Sequence, residues 1–367
     1  MTPFLAVGGA AAVLGYLLTL VVRAGVKRVG AYAVPRDRKV HRAPTPTLGG
    51  IGVYLGFVAA FAVAALLPAL RGTFEFSEVF GLLLGGLIVL LLGIADDRYE
   101  LSPPAKLAGQ IFAGGVLYLS GIQMSFFWLP VLGVISLSPD VSAILTILWI
   151  VLLTNAVNYI DGLDGLAAGL TAIAAAGLFF YSKLLPPIFL GPAPLAPVAA
   201  IALTGVCIGF LPLNFYPARI MLGDTGAMPL GFFLAGATIS MIGRFNGPGA
   251  AGGRVALPLI FTPIVFLALP VANFVFVTVR RLLAGHALMK GRWDEHLHYR
   301  LLRLGHSQPQ AVLVMWGWAA LLSAGLVTAG RIPWGRFILA FAIGVGTVVL
   351  MTAAPRLRAP RRAGAAG

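Results

Sequence analysis

The chain alternates long apolar stretches with short polar segments, and each stretch is close to the ~20 residues that a helix needs to cross a bilayer. The pattern predicts eleven transmembrane helices, near residues 3–22, 48–69, 79–95, 106–121, 142–158, 165–182, 194–212, 227–243, 255–279, 310–329 and 334–353. A further apolar segment, Gln123 to Leu137, is broken by Pro130 and Gly133 and predicts an interfacial hairpin. The first stretch lacks a basic leader and a cleavage site, so it predicts a retained span.

Composition excludes a soluble protein. Hydrophobic residues make up 59% of the chain and charged residues only 10%, whereas soluble domains carry roughly 25% charged residues. The predicted fold class is an all-α polytopic membrane protein, with residues 1–367 forming one integral membrane domain. Within it, 280–309 is predicted to be a cytoplasmic substrate-binding loop and 354–367 a basic cytoplasmic tail. The single cysteine, Cys207, lies in an apolar stretch and is expected to pack in the core.

The basic residues predict the orientation. Most of the 26 Lys and Arg residues fall in segments that alternating spans place on one side, among them 23–42 and 280–303. The positive-inside rule then favours an outer N-terminus and a cytoplasmic C-terminus, and this topology puts the acidic motifs on the cytoplasmic face. The net charge of +14 suits anionic lipid headgroups and can attract an anionic substrate. No nucleic-acid partner is expected, because the basic residues are spread over several short loops.

The first acidic motif ends the third span with Asp96 and Asp97. Neighbouring side chains on a helix diverge by about 100°, so these two carboxylates are not expected to share one ligand geometry. Pro103 and Pro104 suit the first turn of the next helix, which places Lys106 and Gln110 one turn apart on one face. A solvated, charge-balanced loop is the alternative interpretation.

The second motif follows the fifth span. Asn155 and Asn158 are three residues apart and share a helix face, and Asp161 and Asp164 repeat that spacing among glycines. Amide and carboxylate oxygens are the ligands that a hard cation such as Mg2+ selects. The motif therefore predicts a polar stripe that ends in an acidic turn, with a helix C-cap followed by an Asx turn as the alternative.

Two further motifs carry groups suited to a metal ion or to phosphate. Gly223 and Gly226 bracket Asp224, a layout that suits a metal-bound carboxylate, and Arg219 can offer a planar fork to phosphate or carboxylate. A plain cytoplasmic turn is the alternative interpretation. In the longest cytoplasmic loop, His296 and His298 stand beside Arg300. A zinc site is one interpretation of the two histidines, but no third ligand lies at zinc spacing, so an anion clamp is favoured. His286 and His306 lack such neighbours and are predicted to be solvated loop residues.

In this order, the four motifs resemble the polyprenyl-phosphate N-acetylhexosamine-1-phosphate transferase superfamily. The segments that carry the resemblance are DDR at 96–98, NAVNYIDGLDGLAAG at 155–169, NFYPARIMLGDTG at 214–226 and HLHYR at 296–300. The loop at 296–300 looks more like the bacterial undecaprenyl-phosphate GlcNAc-1-phosphate branch than the MurNAc-pentapeptide branch. The resemblance implies a multi-pass enzyme of the bacterial inner membrane whose product carries O-antigen, teichoic acid or another envelope glycan.

The resemblance also implies roles. Asp224 and Asn158 match Mg2+ ligands, for which Mn2+ can substitute, Asp164 lies near the uridine, and Lys106 contacts the lipid phosphate. The implied catalytic residues are Asp96, Asp97, Asp161, His296 and His298, and the implied substrate-binding residues are Lys39, Gly50, Lys106, Asn155, Asp164, Asn214, Arg219 and Arg300. Three residues depart from the family pattern: Tyr299 where a third His is common, Ala227 where Ser is common, and Asn273 where an Asp often follows Pro.

The implied reaction joins UDP-GlcNAc to undecaprenyl phosphate with release of UMP. Two anions must then meet, and at 4 Å two unit charges repel by ~4 kcal/mol at an effective dielectric near 20, which a divalent cation would offset. Direct attack by the lipid phosphate is favoured over a covalent aspartyl intermediate. Transfer of MurNAc-pentapeptide or another N-acetylhexosamine is the alternative within the superfamily, and a secondary transporter is the alternative outside it. A homodimer and a monomer both remain open.

Overall fold

The computed structural model describes residues 1–30, 32–33, 45–72, 74–129, 133–184, 195–242, 268, 271–272, 275–276, 279, 297–329 and 331–358. Its helices are α1 (Thr2–Val29), α2 (Gly49–Leu66), α3 (Phe76–Tyr99), α4 (Pro103–Leu119), α5 (Pro139–Ile160), α6 (Leu166–Leu184), α7 (Leu195–Asn214), α8 (Gly223–Ile242), α9 (Leu297–Arg303), α10 (Gln308–Thr328) and α11 (Trp334–Arg358). Its strands are β1 (Tyr32–Ala33), β2 (Thr45–Pro46), β3 (Phe126–Leu129) and β4 (Gly133–Ser136).

In the described part of the chain, eight helices are long and apolar enough to cross a membrane: α1, α2, α3, α5, α6, α7, α10 and α11. The predicted class, a polytopic helical membrane protein, is confirmed. The predicted spans at 106–121 and 227–243 correspond to α4 and α8, which are not among these eight. The predicted span at 255–279 lies almost wholly outside the described residues. The count of eleven and the orientation therefore stay predictions.

Helix α8 forms the centre of the bundle. It packs against α2, α3, α5, α6 and α7, and nearly every side chain along it is buried, including Phe232 and Phe233. A helix that is apolar on all sides belongs in the interior of a bundle, because no face of it needs contact with water. The first turn of α8, which carries Asp224, is therefore held in a helix that packs against five others.

Small residues bring α1 and α7 into close contact. A Cβ atom added at Gly205 would lie 2.2 Å from the carbonyl oxygen of Gly8, and one at Gly209 would lie 2.0 Å from that of Ala12. Membrane helices often associate through such small residues, because their backbones can then approach closely. The first half of α1 is thus packed closely against α7.

The segment predicted to be a hairpin is one. Strands β3 and β4 pair antiparallel with Phe126 opposite Ser136 and Leu129 opposite Gly133. The hairpin is tied to α5, because the Met124 amide donates to the Thr146 hydroxyl at 3.0 Å.

The prediction for His306 was wrong. Its side chain is only 7% exposed, and a ring nitrogen lies 2.9 Å from the Thr352 carbonyl oxygen on α11. The pairing partner lies 46 residues further along the chain, where sequence spacing gives no indication of it. This histidine connects the start of α10 to the last helix.

The polar motifs lie at the ends of helices. Helix α3 runs past its predicted end, so Asp96 and Asp97 lie in its last turn, and α8 starts earlier than predicted, which puts Asp224 in its first turn. Helix α4 opens with Pro103 and Pro104, as predicted. Because α3 and α5 end where α4 and α8 begin, these side chains meet at one end of the bundle.

Candidate active site

Lys106 links two carboxylates from different helices. Its ammonium forms an ion pair with Asp96 on α3 and lies 3.2 Å from Oδ2 of Asp224 on α8. The other Asp96 oxygen, Oδ1, accepts a hydrogen bond of 2.8 Å from the Leu101 amide. Asp96 is 6% exposed, whereas the side chains of Lys106 and Asp224 are 26% and 30% exposed. Two negative groups thus share one positive group, and Asp224 stays open to a ligand.

Asn158 and Asp224, the two predicted metal ligands, are neighbours. Burial by itself would raise the pKa of Asp224, but contacts with Asp96, the charge of Lys106 and the Asn158 amide outweigh it, so this pKa lies below its ordinary value. The buried Nδ2 atom of Asn158 nevertheless has no hydrogen-bond partner of ordinary geometry among the described residues. This NH2 group lies near Asp224 and can donate to an anionic group bound beside it.

Asp97 points away from Lys106 and binds the start of α8. Its Oδ1 accepts from the Asp224 amide at 3.1 Å, and its Oδ2 accepts from the Thr225 amide at 3.1 Å and the Thr225 hydroxyl at 2.6 Å. The expected divergence of the two adjacent aspartates is confirmed. Their catalytic roles stay predictions, and only Asp96 contacts Lys106.

Asn155 is paired with a glutamine. Its Nδ2 donates to Oε1 of Gln110 at 2.6 Å and to the Val151 carbonyl at 2.8 Å, and Gln110 donates back at 3.4 Å. Gln110 is 1% exposed and lies one helical turn beyond Lys106. The pair fixes α4 against α5 one helical turn from Lys106. The role of Asn155 in substrate binding stays a prediction.

Two further predicted binding residues hold backbone segments together. Asn214 accepts from the Gly165 amide and donates to the Ile220 carbonyl, both at 3.0 Å. Asp164 accepts from the Ala218 amide at 3.0 Å. Both side chains are at least 95% buried. They join the acidic turn after α5 to the loop before α8, so that the segments leading to Asp161 and Asp224 keep a fixed separation.

Gly50 lies in a contact between backbones. A Cβ atom there would stand 2.3 Å from the amide nitrogen of Gly226, and the neighbouring Gly49 amide donates to the Met221 carbonyl at 3.0 Å. The structure therefore gives Gly50 a packing role under the first turn of α8. Its role in nucleotide binding stays a prediction.

The histidine motif reaches the same end of the bundle. His298 on α9 is 1% exposed, and a Cβ atom at Gly162 would lie 2.1 Å from its Nε2. Burial and then the negative charge of Asp161 raise the pKa of Tyr299. These contacts bring α9 against the acidic turn. The Arg300 guanidinium lies 4.9 Å from the centre of the Phe276 ring.

Of the remaining predicted residues, those that the structure describes form no hydrogen bond or ion pair with the side chains of Lys106, Asp96 and Asp224. Arg219 has an exposed side chain five residues before Asp224, and its carbonyl accepts from the Arg23 guanidinium at 3.0 Å. Lys39 and His296 lie outside the described residues, as does Asn273. Ala227 is fully buried within α8, where a small side chain fits.

Sequence reasoning gave no role to Thr225 or Gln110. The hydroxyl of Thr225 binds Asp97, and the amide of Gln110 binds Asn155. The one-turn spacing from Lys106 pointed to the correct face of α4 for Gln110, but its partner on α5 could not be identified from spacing. Thr225 had no separate signal, because its partner lies 128 residues away.

The oxygen ligands fit a magnesium ion that also binds substrate. Within the described ranges, no group of three or more His, Cys, Asp or Glu side chains could hold a metal by itself. Mg2+ is usually held by one or two carboxylates together with substrate phosphates and water, so a complete protein cage is not required. The Asp224 carboxylate and the amide oxygen of Asn158 would provide such a partial site, because both are hard oxygen donors that suit this ion.

Comparison with known proteins identifies the family. The family model described as glycosyl transferase family 4 matches residues 79–242, which include Lys106 and Asp224. A decaprenyl-phosphate N-acetylglucosaminephosphotransferase of Mycobacterium tuberculosis is 37% identical over 330 residues, covering 88% of this chain and 81% of the relative.

Two other relatives show the breadth of the family. A probable undecaprenyl-phosphate N-acetylglucosaminyl 1-phosphate transferase of Bacillus subtilis is 32% identical over 325 residues, or 88% of this chain and 84% of the relative. A phospho-N-acetylmuramoyl-pentapeptide-transferase of Desulforudis audaxviator is 32% identical over 223 residues, or 55% and 64%. The chain belongs to the polyprenyl-phosphate N-acetylhexosamine-1-phosphate transferases of glycosyl transferase family 4.

Proposed function

We propose that this protein transfers GlcNAc 1-phosphate from UDP-GlcNAc to decaprenyl or undecaprenyl phosphate, in a reaction that depends on Mg2+ and releases UMP. Relatives that are named for GlcNAc-phosphate transfer match 88% of the chain, whereas the relative named for MurNAc-pentapeptide transfer matches 55%. This difference supports GlcNAc as the sugar. The relatives are named for both acceptors, so both enter the test.

One observation carries the proposal: Lys106 lies between Asp96 and Asp224 at the ends of three helices. An ammonium group that contacts two carboxylates can exchange one of them for a phosphate without leaving its place. Asp224 is the more exposed carboxylate and is therefore the one that a ligand can reach. The arrangement suits a reaction in which two phosphorylated substrates meet.

The reaction forms one bond and breaks another at the same phosphorus atom. An oxygen of the lipid phosphate attacks the β-phosphorus of UDP-GlcNAc, and the bond from this phosphorus to the bridging oxygen breaks, so that UMP leaves. Asp224 and Asn158 would hold Mg2+, which when bound supplies positive charge to the pyrophosphate and to the leaving UMP. Phosphoryl transfer depends mainly on positioning and electrostatics.

The residues of the chain orient and balance charge. Lys106 can bind the lipid phosphate and reduce the repulsion between the two anions, which is ~4 kcal/mol for unit charges at 4 Å and a dielectric near 20. Asp96 keeps the Lys106 ammonium at the helix ends through its ion pair. The lipid phosphate needs little help to ionise at neutral pH, which favours direct attack. We place the reaction at the cytoplasmic face of a bacterial plasma membrane, where the sugar nucleotide is made.

The test uses membranes that contain the protein, labelled UDP-GlcNAc, Mg2+ and either decaprenyl or undecaprenyl phosphate. A butanol-extractable labelled lipid and UMP are expected, and chelation of Mg2+ should stop their formation. The Asp224→Asn variant should lose at least about a hundredfold in rate, comparable to removal of a preorganised charged group. Asp140→Asn, at the opposite end of α5, is the matched control and should keep the wild-type rate.

Three results would contradict the proposal. A protein that makes no labelled lipid with any UDP-N-acetylhexosamine is not this enzyme. Faster turnover of UDP-MurNAc-pentapeptide than of UDP-GlcNAc would show that GlcNAc is not the preferred donor sugar. A near-normal Mg2+-dependent rate in Asp224→Asn would remove Asp224 from the metal site.

A further inference from the structure

Asp97 binds the N-terminal end of another helix. Its carboxylate receives hydrogen bonds from the Asp224 amide, the Thr225 amide and the Thr225 hydroxyl, at 3.1, 3.1 and 2.6 Å. The first amide groups of a helix have no partner within that helix. Leu222, the residue before α8, is apolar and cannot supply an acceptor from its side chain. A carboxylate on α3 therefore does what an N-cap side chain usually does for its own helix.

Two glycines allow this contact. A Cβ atom at Gly223 would lie 2.7 Å from Oδ2 of Asp97, and Gly223 also has a positive φ of 66°. A Cβ atom at Gly93 would lie 2.5 Å from the Asp224 carbonyl oxygen. Gly93 and Asp97 are four residues apart and share one face of α3. The close approach at Gly93 is what brings Asp97 to the start of α8.

The same geometry separates Asp97 from the reacting groups. Asp96 is one residue earlier, about 100° around the helix, and contacts Lys106. Both Asp97 oxygens are already engaged with α8, and a negative charge at a helix N-terminus is favoured by the helix dipole. Protonation or metal binding at Asp97 would weaken the bonds that fix the backbone of Asp224.

We propose that Asp97 is a positioning residue that caps α8 from α3 and fixes Asp224, and that Asp96 alone of this pair faces the substrates. This role rests on the proposed function, because it divides that reaction between two adjacent aspartates. It makes a prediction that differs from that for a catalytic base. The single oxygen of an asparagine can still accept from the Thr225 amide and hydroxyl, as Oδ2 of Asp97 does, and only the bond from the Asp224 amide is lost. An asparagine cannot take up a proton as a catalytic base must.

The decisive comparison is Asp97→Asn against Asp97→Ala and Asp96→Asn. Asp97→Asn should keep kcat within about tenfold of wild type, because its oxygen preserves the two bonds from Thr225. Asp97→Ala should lose about a hundredfold, as expected when a reacting group is displaced, and should need more Mg2+ for half-maximal rate. Asp96→Asn should be impaired as severely as Asp97→Ala. Equal loss in Asp97→Asn and Asp97→Ala would overturn the positioning role.

A stability cycle tests the cap without any turnover. Asp97→Ala and Thr225→Val should each lower the midpoint of thermal unfolding of the metal-free protein in detergent, and the double variant should be little worse than Asp97→Ala, since the two residues share bonds. Asp140→Asn, in the first turn of α5, is the matched control and should not change the midpoint. Fully additive effects would overturn the cap.

The two failures can be told apart. If the wild-type protein forms no lipid-linked product, the proposed function fails while the stability cycle still decides the cap. If Asp97→Ala does not fold, Asp97→Asn and Thr225→Val still test the same contact. An Asp97→Asn variant as inactive as Asp96→Asn would contradict the positioning role.

Discussion

Lys106 decides the balance of charge in this site. It neutralises one of the two carboxylates that it contacts, so Asp96, Asp224 and Lys106 together carry one net negative charge when ionised. Its contact with Asp224, at 3.2 Å, would compete with a cation for the same oxygen. In the proposed reaction Lys106 would therefore have two opposing effects: it would help to bind an anionic substrate, and it would weaken binding of a divalent cation.

These effects can be separated by Lys106→Met, which keeps the unbranched side chain up to the ε position and removes the charged amine. We expect kcat to fall by about a hundredfold to a thousandfold, as when one preorganised donor to a reacting anion is removed. The Mg2+ concentration for half-maximal rate should fall, because Asp224 loses its competing partner. Initial rates measured across a Mg2+ series give both values. A variant with wild-type kcat, or one that needs more Mg2+, would contradict this account.

At the scale of elements, α3 packs closely against α8 at the active end, the end of the bundle that carries Lys106 and Asp224. Gly93 allows the contact, since a Cβ atom there would meet the Asp224 carbonyl oxygen at 2.5 Å and the Thr225 Cα at 2.7 Å. Both neighbours belong to the backbone, so they cannot rotate out of the way as a side chain can. The distance between the two helices is thus set at the residue where the chemistry is expected.

Gly93→Ala should push α3 away from α8. Inserting a methyl group into a packed contact costs about 1–3 kcal/mol, and displacement of Asp224 by about 1 Å can reduce the rate by about a hundredfold. Thermal unfolding and the transfer assay measure the two effects. Gly115→Ala on α4 is the matched control, because nothing lies within 4 Å of its added Cβ atom. Equal behaviour of the two variants would show that the close contact does not matter.

At the scale of the whole molecule, the sequence predicted what depends on local pattern. Apolar length and helix-breaking residues were sufficient for eight of the predicted membrane spans and for the pairing of β3 with β4. The ends of the helices were less accurate, because apolar runs stop before the helix does. Asp97 and Asp224 were expected beside spans, whereas the structure places both within helical turns.

The partners of the polar side chains could not be predicted. The sequence grouped Asp164 and Asn214 with substrate, and that role stays a prediction. The structure adds hydrogen bonds from these side chains to backbone groups 54 and 49 residues away, which spacing did not indicate. A buried carboxylate or amide must find partners, and in this bundle the nearest ones are the turns between helices. Motif spacing identifies which side chains share a face, whereas their partners depend on the packing of distant helices.

The predicted orientation is the remaining property of the whole molecule, and thiol labelling can test it. Native Cys207 is fully buried, so it should contribute little background. With an outer N-terminus, α3 ends and α4 begins on the cytoplasmic side, and α5 begins outside. A membrane-impermeant maleimide should therefore label Ser138→Cys in intact cells and Ser102→Cys only after permeabilisation; both positions are exposed helix N-caps. Because Ser102 is four residues from Lys106, its labelling in intact cells would place the active end outside, away from cytosolic sugar nucleotides.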